Sequence, residues 1–161
     1  MPATQTGVDH DPSVLLGSWQ LERWEIAYSD GRPSTLPFGA EATGLIVYTP
    51  DGYMSACIAR ARRPALSGQS ARTVPPEEQL AAFESYFHYA GRYHIRQHQG
   101  RAQVVHEVSH ALNPNFVGSQ QIRDMSLDGD NRLTLSASDP LPGQPGVMRH
   151  HRLAWRRKEA S

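Results

Sequence analysis

The chain has a single cysteine, Cys57, in 161 residues, so no disulfide within the chain can hold its fold together. Cys57 lies inside a stretch with the pattern of a strand, where we expect it to be a small buried apolar residue. A lone thiol without a partner is compatible with a reducing compartment. The sequence therefore predicts a cytoplasmic protein.

The chain also lacks a net charge, because 16 basic residues are balanced by 16 acidic ones. No summed field favours nucleic acid or an anionic membrane, and no block of like charge suggests an interaction tail. Residues 1–12 contain neither a basic start nor an apolar run, so we expect neither a signal peptide nor a membrane span there. We expect residues 1–13 to form a flexible arm, and partners to be recognised locally.

The length of 161 residues bounds the domain organisation. It is long enough for one well-buried core and short for two. We therefore expect a single domain over residues 14–158.

The clearest local pattern is a β-hairpin whose turn has the sequence TPDG at residues 49–52. Pro50 presets the first corner of a type I turn, and Gly52 can adopt a left-handed conformation. If Thr49 faces Tyr53, cross-strand partners share one face of the sheet. That face would carry Ile46, Tyr48, Met54, Ala56 and Ile58. The opposite face is not strongly polar either, so we expect the whole hairpin to lie deep inside a β structure.

Alternating apolar residues predict strands through most of the remaining chain. The first is expected at residues 15–28, although a short helix would satisfy part of its pattern. The exception is residues 75–90, where leading prolines, an acidic first turn and apolar residues at helical spacing predict a helix. Its apolar stripe would consist of Leu80, Phe83, Phe87 and Ala90. This helix either packs against the outside of the sheet or covers the mouth of a cavity.

These segments amount to eight strands, with one helix after the third. Such a meander closes most simply into an up-and-down barrel, which removes exposed sheet edges. The predicted fold class is therefore all-β, an eight-stranded antiparallel up-and-down barrel. The interior of a barrel of this size is either filled by side chains or holds one small ligand.

Several motifs carry a resemblance to a known family. The strongest is YTPDGYMSA at residues 48–56, and others are Gly17-x-Trp19, AGRY at residues 90–93, VxHEV around His106, NPNFVGSQQIR at residues 113–123, DNRLTLSAS at residues 130–138 and the terminal LAWRR. Together they resemble the bacterial and fungal lipocalin-like domain family over residues 15–157. The resemblance implies a calycin-type barrel with an internal pocket, in a family that sometimes accompanies enzymes of natural-product biosynthesis. It implies no agreed catalytic residues.

One motif indicates a different kind of site, because HEVSH at residues 106–110 matches the zinc-protease signature HExxH. In that signature two histidines one helical turn apart share a metal ion, so the motif requires a helix. On a strand the same two residues would be about 13 Å apart, too far to share an ion. Neighbouring valines and the short span between Gly100 and Pro114 favour a strand. We therefore expect no metal site, and no cofactor.

Alternation along the strands indicates which side chains point into the barrel. The predicted interior is mostly aliphatic and aromatic with a few polar groups, which is typical of a small-molecule pocket. A pocket histidine with tyrosine or arginine donors can move protons or stabilise a developing anion. The candidate catalytic residues are His106, Tyr48 and Arg123. The candidate substrate-binding residues are Trp19, Met54, Tyr93, Val108, Leu133, His151 and Phe87.

Each polar candidate also has a purely structural interpretation. His106 or His151 can be a core histidine whose hydrogen bonds are satisfied. Tyr48 and Tyr93 can be core aromatics whose hydroxyls reach a carbonyl at the rim. Arg123 can close one end of the barrel by stacking on a tryptophan, as a basic residue does over the Gly-x-Trp indole in lipocalins.

Two function classes follow for such a barrel. The sharper hypothesis is a cofactor-independent isomerase or cyclase of natural-product metabolism, and the alternative is a non-catalytic carrier or sequestering protein. The sequence does not separate them, because both need the same apolar pocket. A third class, a protein-interaction barrel, would have a filled interior and an apolar patch outside. The expected partner is a hydrophobic small molecule, and the oligomeric state stays open, with a homodimer as one option.

Overall fold

The computed structural model describes residues 11–158, so most of the predicted N-terminal arm, residues 1–10, lies outside the described residues. Eight antiparallel strands form a closed barrel in sequence order. The elements are β1 (Gly17–Tyr28), β2 (Thr43–Tyr48), β3 (Tyr53–Ala59), α1 (Pro76–Glu84), β4 (Tyr86–His98), β5 (Arg101–Ala111), β6 (Gln120–Asp128), β7 (Arg132–Pro140) and β8 (Met148–Arg157). Short 3-10 helices span Pro12–Leu15 and Pro114–Phe116. The predicted fold class, with one helix after the third strand, is confirmed.

The β2–β3 hairpin has the predicted turn and the predicted inner face. The Thr49 N–H donates to the carbonyl of Tyr53 at 2.9 Å, and Gly52 adopts a φ of 89°. Tyr48 pairs with Met54, and Ile46 pairs with Ala56. The side chains of these four residues are buried inside the barrel. The register derived from the turn is therefore confirmed.

The outer face of the same hairpin corrects the expectation that all of it lies deep. Leu45 is 39% exposed and Tyr53 is 46% exposed. Cys57, which we expected to be buried, is only half-buried on this face. The outer side chains of a barrel strand face the solvent whatever their polarity, and single exposed apolar residues are common.

The predicted helix at residues 75–90 is present but shorter. It ends at Glu84, and Phe87 and Ala90 lie on β4. Phe87 pairs with Ile58 on β3, so the hydrogen bonds of the sheet outweigh the helical spacing of the apolar residues. No residue of α1 is buried, and Leu80 and Phe83 are 57% and 45% exposed. The expected apolar stripe therefore does not form.

The segment before β1 closes one end of the barrel, which we call the Trp19 end. The Trp19 side chain is fully buried, and its indole N–H donates to the carbonyl of Leu15 at 2.9 Å. The Arg157 guanidinium lies 4.2 Å from the centre of the Trp19 ring. It also donates to the carbonyls of Val14, at 2.7 Å, and of Leu16. Arg157 holds the position over the indole, so the structural interpretation of Arg123 as that residue is wrong.

We expect Arg157→Lys to lower the free energy of unfolding by about 1–2 kcal/mol, because lysine keeps the charge but loses the planar fork that reaches the carbonyls of Val14, Leu16 and Asp130. Urea unfolding followed by circular dichroism measures the loss. Arg156→Lys is the matched control, since the Arg156 side chain is exposed and donates to Glu22 at 2.6 Å on the protein surface. It should change stability by less than about 0.5 kcal/mol. Equal losses in both variants would contradict the assigned role of Arg157.

The HEVSH sequence lies on β5 in extended conformation, as predicted. His106 pairs with Tyr93 and is buried, whereas His110 pairs with Ala90 and is exposed. The two imidazoles therefore lie on opposite sides of the barrel wall. Within residues 11–158 no group of three or more His, Cys, Asp or Glu residues is placed to hold a metal ion. The described chain also has no helix long and apolar enough to cross a membrane.

Candidate functional site

A cavity of about 900 Å³ lies in the half of the barrel away from the Trp19 end and continues through the wall to exposed residues such as Arg101 and Ser138. Its apolar wall comes from alternate residues of several strands, together with one loop residue and one residue of the second 3-10 helix. These residues are Trp24, Ile26, Pro37, Ile46, Ala56, Ile58, Phe87, Phe116, Leu135, Leu153 and Trp155. The barrel is therefore hollow in this half, which excludes the filled interior expected of a protein-interaction barrel.

A hydrogen-bonded chain of three side chains lies at the deep end of the cavity. The Tyr48 hydroxyl is 2.8 Å from Nε2 of His106, and the Tyr89 hydroxyl is 2.7 Å from Nδ1 of the same ring. His106 lies on β5 and Tyr89 on the neighbouring strand β4, whereas Tyr48 reaches the ring from β2, on the other side of β3. His106 and Tyr89 line the cavity, whereas Tyr48 lies behind His106 on the side of the Trp19 end. The imidazole is thus fixed through both of its nitrogens.

Burial keeps His106 neutral. It lowers the pKa of His106 to about 3, and the nearby positive charge of Arg123 acts in the same direction. Burial also raises the pKa of the Tyr48 and Tyr89 hydroxyls, so both remain protonated at neutral pH. His106 therefore differs from an ordinary histidine, whose pKa lies near neutrality.

This depressed pKa makes stability depend on pH. Between about pH 3 and 6.5 the unfolded chain binds a proton at His106 and the folded chain does not, so stability falls as the pH is lowered through this range. At pH 5 the loss relative to neutral pH should be about 2 kcal/mol. His106→Gln should lack this part of the loss in stability. Urea unfolding of both proteins at pH 7 and pH 5 gives the change in the free energy of unfolding for each, and the difference between the two changes is the contribution of His106. Identical pH profiles would contradict the buried neutral imidazole.

Arg123 lies on β6 with its side chain in the cavity wall. It pairs across the strands with Val104, and its guanidinium donates to the carbonyl of Ile122 at 3.0 Å and to Oε1 of Gln121 at 3.2 Å. The charge and hydrogen bonding of Arg123 partly offset the effect of burial on the pKa of Tyr89. The guanidinium is thus a fixed cation beside the Tyr89 hydroxyl.

A second polar group lines the cavity on the side of β7 and β8. The indole N–H of Trp24 donates to Nδ1 of His151 at 3.3 Å, so the proton of the neutral ring is on Nε2, 3.1 Å from Asp139. Asp139 also accepts a hydrogen bond from Arg149 at 2.9 Å. Burial lowers the pKa of His151 although Asp139 opposes the shift. The wall of the cavity therefore contains a neutral imidazole, that of His151, and a carboxylate, that of Asp139, which is paired with Arg149.

The cavity extends to a gap between β6 and β7. These strands pair only from Asp124 and Ser136 towards the Trp19 end. The first residues of β6 and the last residues of β7 are unpaired with each other, and both edges line the cavity. Small side chains, among them Ala137 and Ser138, form the β7 edge. The gap therefore gives the cavity an opening in its side.

The structure brings four of the ten candidate site residues to the cavity wall. They are His106, Arg123, His151 and Phe87. Tyr48 contacts the site only through His106. The other five, which do not line the cavity, are buried in the core: Trp19, Met54, Tyr93, Val108 and Leu133. Their direct contact with a ligand stays a prediction. The Tyr93 hydroxyl donates to the carbonyl of Thr49 at 2.9 Å, as its structural interpretation expects.

Sequence reasoning missed Tyr89, which contacts His106 directly. It lay inside the segment interpreted as a helix. The signal was nevertheless present, because Phe87, Tyr89, Gly91 and Tyr93 continue the period of two backwards from the rest of β4. Trp24 and Asp139 were also missed, since each lies next to His151 only through strand pairing that local pattern does not encode.

Comparison with known proteins identifies the family. The lipocalin-like domain family matches the chain over residues 16–158. The chain belongs to this family. A 4'-hydroxy-3'-methoxypropiophenone carrier protein of Aspergillus oryzae is 32% identical to this lipocalin-like chain over 108 residues, which is 65% of this chain and 96% of that relative. Among solved structures, a redesigned β-barrel covers 92% of this chain and 95% of its own, at 12% identity and a TM-score of 0.41.

Proposed function

We propose that this lipocalin-like barrel binds a small, mostly apolar aromatic molecule in its cavity and carries it unchanged. The observation behind the proposal is the cavity of about 900 Å³, which combines a largely apolar wall with polar groups at its deep end and beside β7 and β8. Ligand pockets are typically of roughly 300–1,000 Å³ and have this composition. The carrier name of the Aspergillus oryzae relative supports the same function and suggests an aryl ketone as the ligand class.

The chemistry of His106 supports a carrier over an enzyme that uses this residue as its base. A general base works best when its pKa is near the working pH, and the pKa of His106 is about 3. Both ring nitrogens are also occupied by tyrosine hydroxyls. Before accepting a proton from a ligand, the ring would have to release one of these hydrogen bonds.

A cofactor-independent isomerase or cyclase is the second candidate, and one observation favours it. Arg123 and Tyr89 lie together in the cavity wall, where their donors can stabilise an enolate or alkoxide oxygen that develops on a ligand. In this version Arg123 contacts the reacting oxygen, while His106 and Tyr48 hold Tyr89 in place. The substrate would be an apolar metabolite of natural-product metabolism.

A binding experiment with product analysis tests both candidates, using 4'-hydroxy-3'-methoxypropiophenone as the probe. Trp24 and Trp155 line the cavity, so binding should quench tryptophan fluorescence to saturation at one ligand per chain. Recovery of the probe unchanged by chromatography and mass spectrometry indicates a carrier, and an isomeric product indicates the enzyme. The absence of saturable quenching with this probe and with other aryl ketones would contradict the proposal.

A further inference from the structure

The protons of the Tyr48–His106–Tyr89 chain can be assigned from its hydrogen bonds. A neutral imidazole has one N–H donor and one bare nitrogen acceptor. His106 contacts a tyrosine hydroxyl at each nitrogen, at 2.8 Å and 2.7 Å. One tyrosine must therefore donate to the ring, and the other must accept from it.

Access to the cavity decides which tyrosine is the donor, because Tyr89 lines the cavity and Tyr48 does not. The Tyr48 hydroxyl is buried, and among residues 11–158 its one hydrogen-bond partner is Nε2 of His106. If Tyr48 accepted from an Nε2–H group, its own proton would have no acceptor, which costs free energy in a buried site. Tyr48 therefore donates to Nε2, and the ring proton is on Nδ1.

The proton of the Tyr89 hydroxyl then turns towards the cavity. The hydroxyl accepts from Nδ1–H of His106, so it cannot donate to that nitrogen. Arg123, the neighbouring polar group, offers only donors. Among residues 11–158 no other acceptor is hydrogen-bonded to the Tyr89 hydroxyl. Because Tyr89 lines the cavity, a ligand atom there is the available acceptor for its proton.

Trp155, in the same wall of the cavity, also has a hydrogen-bond donor without an acceptor in the part of the chain that the structure describes. The indole N–H of Trp155 is buried and has no hydrogen-bond partner among the described residues. The deep end of the cavity thus presents donors from Tyr89 and Arg123, with another unpaired donor in its wall.

We propose that Tyr48 holds His106 in the Nδ1–H tautomer, which makes the Tyr89 hydroxyl a donor and selects ligands with a carbonyl or anionic oxygen at this end. The selectivity part rests on the proposed function, because it needs a ligand in the cavity, whereas the tautomer does not. Tyr48 is then a positioning residue that acts on the ligand through His106 and Tyr89, without touching the cavity itself.

Nitrogen-15 NMR of the histidine side chains tests the tautomer without any ligand. The His106 signals, identified by their loss in His106→Gln, should show a protonated Nδ1 and a bare Nε2 at pH 7. In Tyr48→Phe the donor to Nε2 is gone, so the preference for Nδ1–H should weaken and a fraction of the Nε2–H form, in which Tyr89 donates to Nδ1, should appear while the barrel remains folded. An Nε2–H ring in the unmodified protein would overturn the inference.

Binding tests the selectivity with two probes, 4'-hydroxy-3'-methoxypropiophenone and the matching compound in which a CH₂ group replaces its carbonyl. The unmodified protein should prefer the ketone about tenfold, as expected for one hydrogen bond in a dry site. Tyr89→Phe should remove this preference, and Tyr48→Phe should reduce it. Tyr53→Phe, on the exposed outer face, is the control and should keep it.

The outcomes separate this inference from the proposed function. If neither probe binds, the carrier proposal fails for aryl ketones, and the NMR result alone decides the tautomer. If both probes bind equally well to the unmodified protein, the carrier proposal stands and the selectivity is refuted.

Discussion

Gly91→Ala is expected to lower the free energy of unfolding by about 3 kcal/mol or more, at the upper end of what overpacking costs. Gly91 lies on β4 opposite Val108, next to a bulge in the pairing with β5. A Cβ atom at this position would lie 1.9 Å from the carbonyl oxygen of Glu107 and 3.0 Å from the nitrogen of Ser109. Both are backbone atoms, so no side-chain rotation can relieve the clash. The strands would have to separate beside His106 and Tyr89.

Thermal unfolding followed by circular dichroism measures this effect. A loss of this size lowers the Tm of a domain of this length by about 6–12 °C. A variant that does not fold at all would be destabilised by more than the predicted amount. Gly68→Ala is the matched control, because its Cβ would meet only side-chain atoms, at 3.3 Å or more. A Gly91→Ala protein as stable as this control would show that β4 and β5 do not approach so closely.

The barrel itself was predictable because its strands obey a local rule. Side chains alternate along a strand, so the inner face of β2 and β3 could be derived from one turn sequence. The extent of α1 could not be derived in this way. Phe83 and Phe87 are spaced for a helix, while Phe87 and Tyr89 are spaced for a strand, so both periods fit. Pairing with β3, which is a non-local interaction, decides between them.

The candidate site shows the same limit. The alternation of side chains predicted that His106 and Arg123 point into the barrel, and both line the cavity. Which arginine covers Trp19 depends on contacts between the two ends of the chain, and Arg157 meets Leu16 there. The depth of the cavity could not be predicted either. Trp19 and Met54 face inwards as expected, but they are buried in the core towards the Trp19 end and do not line the cavity.

Ala56→Phe is expected to weaken binding of the aryl ketone probe about 100-fold or more. Ala56 lies on β3 between its pairing partners Ile46 and Tyr89, and it lines the cavity. Its small side chain lines the cavity beside that of Tyr89, and a phenyl ring at this position would occupy part of the cavity. A clash worth roughly 3 kcal/mol with a bound ligand corresponds to about 100-fold in affinity. The ring should point into the cavity without displacing the core, so stability should change little.

Ser55→Phe is the matched control, because Ser55 is the preceding residue of β3 and its side chain is exposed outside the barrel. It adds a ring of the same size to the same strand and should leave the affinity unchanged. Fluorescence titration of both variants, with thermal unfolding to show that each is folded, makes the comparison. If Ala56→Phe binds the probe as well as Ser55→Phe does, the ligand does not reach the deep end of the cavity. Binding would then have to occur at the gap between β6 and β7, where a ring on β3 cannot obstruct it.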